Sequence, residues 1–227
     1  MAVDQEQVFT SVTRLCAVLL EMGLRRKKKS VATEQDTESG KAKRKAWREQ
    51  VDGISADRLV FMDESGANTD MTRRYGRAEC GHRIREATPG GNWGTVTMLG
   101  AISSKGWQAT MTTAAPTDGE VFLAYLRDVL CPTLRPGQVV VMDNLSAHKV
   151  NGVAETIESA LADILYLPPY SPDFNPIEAC MSVVKQCLRK CKARSVEAHD
   201  LAILAAPNTA SKQIIADCFR HCGYALQ

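Results

Sequence analysis

QVVVMDN at 138–144 and YLPPYSPDFNPIEACMSVVKQCLRK at 166–190 are the two segments whose reading decides the fold. In the first, Val139 to Met142 is a short, fully apolar run, the pattern of a buried central strand, and it delivers Asp143 and Asn144. In the second, a proline-rich turn opens a helix predicted over Ile177–Lys192. Asn175 suits its N-cap, Pro176 its first position and Glu178 its third. Thirty-four residues separate Asp143 from Glu178.

RLVFMDE at 58–64 repeats the first pattern: a strand-like Arg58–Asp63 ends in Asp63 and Glu64. If the two strands are neighbours, both aspartates emerge together at the carboxyl edge of the sheet, where α/β folds place their sites. Taken alone, either aspartate reads more readily as a cap or turn former, and it is the matched pair that favours a site. Glu178 reads equally well as half of a capping box.

Three such acids form a set of hard oxygen ligands that suits Mg²⁺ or Mn²⁺. Two ions about 3.5–4 Å apart activate the attacking oxygen and stabilise the leaving one in a displacement at phosphorus. Asp63 would bridge them, with Asp143 and Glu178 holding one each. His148 and Lys149, just beyond Asp143, are candidates to touch a substrate phosphate, and His148 reads also as a helix-start residue.

Outward from these segments the elements alternate. Trp93–Ser103 and Trp107–Thr113 read as strands around an SSKG turn, and residues 73–86 as a twisted hairpin. Helices are predicted over Asp118–Leu130 and Lys149–Leu161, and a buried strand over Ile164–Leu167. The order describes an α/β domain with a mixed sheet, antiparallel strands first and parallel ones later.

The ends differ in character. Val8–Gly23 has a helical apolar period, Ser30–Gly40 is polar and reads as mobile, and Lys41–Val51 reads as a helix anchored by Trp47. Between them the positive charge concentrates. Arg25, Arg26, Lys27, Lys28, Lys29, Lys43, Arg44 and Lys45 are the candidate contacts to nucleic-acid phosphates, although the chain's net charge is only +2. The alternative is a solvated basic linker. Val196–Ala206 and Lys212–His221 read as closing helices, but His199–Asp217 lacks a clear apolar period and predicts a poorly packed edge.

The 227 residues, 44% hydrophobic and 24% charged, suit one sizeable domain with an appendage. Divisions fall at 1–52, 53–195 and 196–227. No apolar run is long enough to span a bilayer and the start is not a good signal peptide, so a cytoplasmic location is expected. Eight cysteines include no CxxC pair; Cys187 with Cys191, and Cys218 with Cys222 and His221, leave a zinc reading open beside that of buried reduced thiols.

FMDESGANTDMTRRYGRA, VVVMDNLSAHK and LYLPPYSPDFNPIE together resemble the blocks of the bacterial insertion sequence 630 transposases, which belong with mariner-type elements in the DDE transposase superfamily. The resemblance spans roughly Leu24–Arg194 and returns at CFRHCGY. It implies a ribonuclease-H-like fold and Mg²⁺-dependent cleavage at element ends. It also implies joining of the freed 3′-OH to target DNA at TA dinucleotides, by a homodimer or an assembly with another transposase chain. Asp63, Asp143 and Glu178 match the family's three acids, and Asp143, Asn144 and His148 its DN-x-x-x-H feature. Family members begin with a fuller paired helix-turn-helix region; only its last helix is recognisable here, before RRKKKS, so the chain reads as truncated there. A ribonuclease-H-like nuclease that cuts without joining, and a non-catalytic regulatory remnant, are the other readings.

Overall fold

The computed structural model of the protein describes residues 11–24, 32–88, 90–91, 93–114 and 116–226. They fall into two compact units, a first ending at Thr33 and a second over Glu34–Gln227. In the first, helix α1 (Val12–Glu21) is N-capped by the Ser11 side chain, which accepts from the Arg14 amide at 3.2 Å. The basic run Arg25–Lys29 lies outside the described residues.

The second unit is built on one five-stranded sheet, β1 (Leu59–Asn68), β2 (Thr95–Ser103), β3 (Gly106–Thr113), β4 (Val139–Met142) and β5 (Asp163–Tyr166), in spatial order β3-β2-β1-β4-β5. β1, β2 and β3 pair antiparallel; β4 and β5 join in parallel. The mixed α/β sheet read from the sequence is the one found.

Period-two alternation gives the sheet two buried faces. Leu59, Phe61, Met98, Ile102, Val139 and Val141 face one core, against helices α2 (Glu38–Asp52), α5 (Pro176–Cys191), α6 (Val196–Ala205) and α7 (Lys212–His221). Val60, Met62, Leu99, Val140 and Met142 face the other, against α3 (Gly119–Tyr125) and α4 (Val153–Ser159). β4, between β1 and β5, is buried throughout, as its uninterrupted apolar run requires.

Several boundaries and one whole element depart from expectation. Residues 73–86 form no strand, because the alternating basic and small residues offer no apolar face to bury; Tyr75 and Ile84 are exposed. Thr33–Asp36 is a 3-10 turn, and α2 starts at Glu38 with Thr37 as N-cap, so much of the polar 30–40 stretch is regular. The helix expected from Lys149 begins only at Val153: Ser146–Lys149 is a 3-10 turn, and Gly152 at φ +95° turns the chain first. The 119–130 helix loosens into a π turn over Leu126–Leu130.

The closing edge is well packed, against expectation. Ile203, Ala206, Ala210, Ile215, Cys218, Phe219, Cys222 and Tyr224 are buried in the α5-side core. Helical period is weak over 199–217 because a 3-10 turn, Ala206–Thr209, breaks the segment into two short helices, each burying its own stripe. Phe61 receives the Phe219 ring edge-on at 5.4 Å and Tyr224 at 4.9 Å, which seals this edge on β1. Among the described residues no helix is long and apolar enough to cross a membrane.

Candidate active site

β1 and β4 pair in register Leu59 with Val139 through Phe61 with Val141. Continued two residues along both strands, that register sets Asp63 level with Asp143, and odd numbering puts both on the α5 side. The matched strand-then-acid patterns thus meet because they occupy the same place on neighbouring strands. α5 crosses that face, and its first turn carries Glu178. Asp63, Asp143 and Glu178 line one cavity of about 440 Å³ together with Asn144, Leu145, Pro169, Tyr170 and Asn175.

Each acid has its own support. Asp63 Oδ1 accepts from the Glu64 amide at 2.8 Å, and its Oδ2 accepts from Asn175 Nδ2 at 3.3 Å. Asp143 Oδ1 accepts from the Leu145 amide at 3.0 Å. The Asn144 amide donates to the Leu167 carbonyl, tying the end of β4 to the turn after β5. Glu178 is exposed to solvent.

The capping-box reading of Glu178 does not hold. Asn175 occupies the N-cap position and Pro176 follows it, but the Asn175 side chain makes no cap. It is buried and turned to Asp63. The Asn175 amide donates to the Pro172 carbonyl at 3.0 Å, so Glu178 has no reciprocal role to fill. Asn175 Oδ1 is buried without a partner.

His148 is fully buried, not at a surface where it could meet a phosphate. Its Nδ1 lies 2.7 Å from Asp143 Oδ1, a charge contact with poor hydrogen-bond alignment, and its Nε2 lies 3.3 Å from Glu64 Oε1. Its ring stacks on Phe122 at 4.2 Å, and its carbonyl accepts from Tyr166 Oη at 3.0 Å. Burial alone would lower its pKa, but Asp143 and Glu64 outweigh that and push it up to about 9. It therefore stands as an imidazolium behind Asp143 at neutral pH. For Asp143 burial works upward, yet contacts from His148 and the Leu145 amide leave its pKa below the usual carboxylate value.

Asp63 behaves oppositely. Burial, only partly offset by the Glu64 amide, and the neighbouring charges of Glu178 and Asp143 raise it to about 7. Among the described residues no lysine or arginine lines the cavity to relieve that crowding. Three carboxylates in one cavity, one of them reluctant to ionise, form a donor set whose type and charge fit a hard divalent cation. As placed, no three His, Cys, Asp or Glu among the described residues stand close enough to hold a metal ion, and this applies to Asp63, Asp143 and Glu178 as much as to the cysteines and His221. Cys180, Cys218 and Cys222 are buried free thiols.

The expected phosphate contacts divide. Lys43 and Lys45 are exposed on α2, and Lys45 pairs with Glu49 at 3.7 Å; Lys149 is exposed, its ammonium 5.3 Å from the Tyr166 ring. Arg44 is engaged inside the protein. Its guanidinium grips Asp173 and Ser171 and lies over the Phe174 ring at 4.0 Å, while Arg48 covers the same ring at 4.1 Å. The turn before α5 is thus clamped from α2, and Tyr224 Oη adds a bond to the Phe174 carbonyl at 2.6 Å.

Sequence reading missed Glu64, Asn175 as a support for Asp63, and the Arg44–Phe174 clamp. Only Glu64 left a signal, since its parity on β1 sends it to the His148 side of the sheet.

The structure resembles solved complexes of the Mos1 transposase. These include a paired-end complex with the left transposon end (18% identity, 95% of this chain and 71% of that one, TM-score 0.56). A strand transfer complex matches at 19% identity, with 95% and 71% of the chains covered and a TM-score of 0.57. A paired-end complex with Mn matches at 18% identity, with 96% and 72% covered and a TM-score of 0.57. At those identities the likeness establishes the ribonuclease-H-like fold. No curated protein sequence matches the chain. The family model described as DDE superfamily endonuclease matches residues 58–201, more than half of the sequence and all three acids, and the chain belongs to that family of polynucleotidyl-transferase and nuclease enzymes.

Proposed function

We propose that this chain is a DDE transposase that cuts DNA at the ends of a mobile element and joins the freed 3′-OH to target DNA at TA dinucleotides. The observation that carries the reading is the meeting of Asp63, Asp143 and Glu178 around one cavity. Asp63, Asp143 and Glu178 are the catalytic acids and the ligands of Mg²⁺ or Mn²⁺, with two ions as the working number. When bound, such ions supply charge neutralisation on the phosphate and activation of the attacking oxygen.

The chain's own residues hold the acids for that task. Asn175 fixes one oxygen of Asp63, the Leu145 amide and His148 fix Asp143, and the clamped turn sets the start of α5 and so Glu178. Water attack breaks the bond between phosphorus and the leaving strand's 3′-oxygen. That oxygen, protonated, then attacks a target phosphate and expels a 3′-oxygen there, so the number of phosphodiester bonds is conserved in the joining step.

Lys43, Lys45 and Lys149, with Arg25, Arg26, Lys27, Lys28 and Lys29, hold DNA backbone without reading sequence. The protein works as a homodimer or with another transposase chain, on DNA in a bacterial cytoplasm. Incubation of the chain with Mg²⁺ or Mn²⁺, a nicked or pre-cleaved oligonucleotide and a TA-containing plasmid tests this. Wild type is expected to cut and join, and Asp143→Asn to do neither while binding DNA normally. Unchanged cutting by Asp143→Asn sinks the assignment, and cutting without joining reduces it to a nuclease.

A further inference from the structure

Besides the acids, the same cavity is lined by apolar and aromatic side chains that the metal-dependent reading leaves unused. Leu145, 48% exposed, stands two residues from Asp143, whose carboxylate its own amide holds. Tyr170, 57% exposed, stands on the turn between β5 and α5, with Pro169 exposed beside it. The Tyr170 backbone is at φ +56°, the left-handed region that a bulky side chain rarely adopts. Surrounding bonds fix it there: the Gln35 amide donates to the Tyr170 carbonyl, and Ser171 Oγ, itself gripped by Arg44 at 2.7 Å, bonds the Pro169 carbonyl at 3.2 Å. An exposed aromatic is ordinary on a protein surface. An exposed aromatic held in an unfavourable backbone conformation at the rim of a carboxylate cavity is a candidate for a role at that site.

We propose that Tyr170, with Leu145 and Pro169, is a stacking subsite for one unpaired nucleobase next to the phosphate that is cut. This rests on the polynucleotide reading of the acids given above. The cavity, about 440 Å³, is of a size for one nucleotide and far too small for a duplex. A cation-bridged phosphate belongs at the acids, and the apolar wall is left for the face of the attached base. Every base has such a face, so the subsite would select an unstacked nucleotide rather than a sequence. Taking a base out of its stack costs least where pairing is already absent. The enzyme should therefore prefer cutting beside a bulged or mismatched nucleotide.

Three forms of the full chain separate the roles: wild type, Tyr170→Phe, and Tyr170→Asn, the last chosen because asparagine tolerates the left-handed backbone. Each is given a perfect duplex, the same duplex with a one-base bulge, and a single strand carrying 2-aminopurine, with Mg²⁺ or Mn²⁺. Wild type and Tyr170→Phe are expected to favour the bulged duplex and to quench the single strand's fluorescence. Tyr170→Asn is expected to lose the preference, with binding of the single strand weakened on the order of tenfold at unchanged Tm. If Tyr170→Asn keeps both preference and quenching, the subsite is wrong and the cleavage reading stands. If wild type cuts nothing but Tyr170→Asn still abolishes quenching, the subsite stands and the cleavage reading falls.

Discussion

Arg44 holds Asp173, 129 residues further along the chain, by a two-pronged ion pair, Nη1 to Oδ1 at 3.0 Å and Nη2 to Oδ2 at 2.6 Å. A planar guanidinium matches a carboxylate fork in a way an ammonium cannot. Burial pushes the Asp173 carboxyl up, but the Arg44 contact outweighs it and leaves the pKa lowered. The pair ties α2 to the turn that starts α5, across all five strands and two helices of the intervening sequence. A residue whose charge suggested a DNA contact thereby becomes a brace for the third acid.

Arg44→Ala is therefore expected to cost about 1–2 kcal/mol, combining a partly exposed ion pair with the contact to Phe174. In a unit of this size that lowers Tm by roughly 2–8 °C. Arg44→Lys should recover little of it. If Arg44 instead neutralised a DNA phosphate, its removal would reduce the salt dependence of DNA binding by about one unit of slope. Fluorescence anisotropy across a salt series distinguishes the two, and the structure requires the slope to stay the same.

The imidazolium of His148 makes stability depend on alkaline pH. Its unfolded value is 6.5 and its folded value about 9. The contribution is whole below pH 6.5 and is lost as pH rises through 9. The difference corresponds to about 3 kcal/mol. Denaturant midpoints measured from pH 6 to pH 10 should fall accordingly in the wild type. Glu64→Gln should flatten the fall, since it removes one of the two carboxylates facing the ring. A midpoint independent of pH in the wild type would show that His148 is neutral in the fold.

What the sequence disclosed and what it hid follow from the range of the interactions involved. Asp63 and Asp143 were legible because each ends an apolar run, and apolar runs make strands wherever they lie. The clamp was not: nothing near Arg44 announces Asp173, which is far off in the chain. The same limit applies to Asn175, whose local pattern spelled a helix cap while a strand from elsewhere took its amide. The hairpin expected over residues 73–86 failed for the converse reason. Its residues alternate in type but have no apolar face to bury.

Proton release should accompany metal binding, because a ligand must be ionised to coordinate. Asp63, raised to about 7 by burial and by Glu178 and Asp143, is largely protonated at pH 6 without metal. Mg²⁺ affinity should tighten by up to about tenfold per pH unit below 7 and level off above it. Calorimetry in buffers of different ionisation heat should count close to one proton released at pH 6 and few at pH 8. In the absence of metal, the raised value also means that ionised Asp63 opposes folding, an opposition absent below pH 3.8 and complete above pH 7. Asp63→Asn should thus raise the metal-free Tm, with the gain growing between those limits. An equal gain at pH 3 would assign it to packing instead.

Gly100 pairs directly opposite Asp63 across β1 and β2, which fixes how near α5 can come to the sheet. A Cβ there would lie 2.6 Å from Trp107 Cζ3 and 2.8 Å from Met181 Cε. Met181 sits one turn along α5 from Glu178. Its terminal methyl can swing away cheaply, whereas the indole ring moves only as a rigid plate. Gly100→Ala should therefore destabilise by about 1–3 kcal/mol, the ordinary cost of overpacking. If the strain lifts α5, Mg²⁺ affinity should drop too, although no ligand has been touched. Adding Trp107→Phe, a smaller ring, should restore both together, with the pair of substitutions milder than Gly100→Ala alone. Loss of stability in Gly100→Ala with metal affinity unchanged would mean that α5 keeps its place, and that Glu178 is set by the clamped turn and not by the face of the sheet.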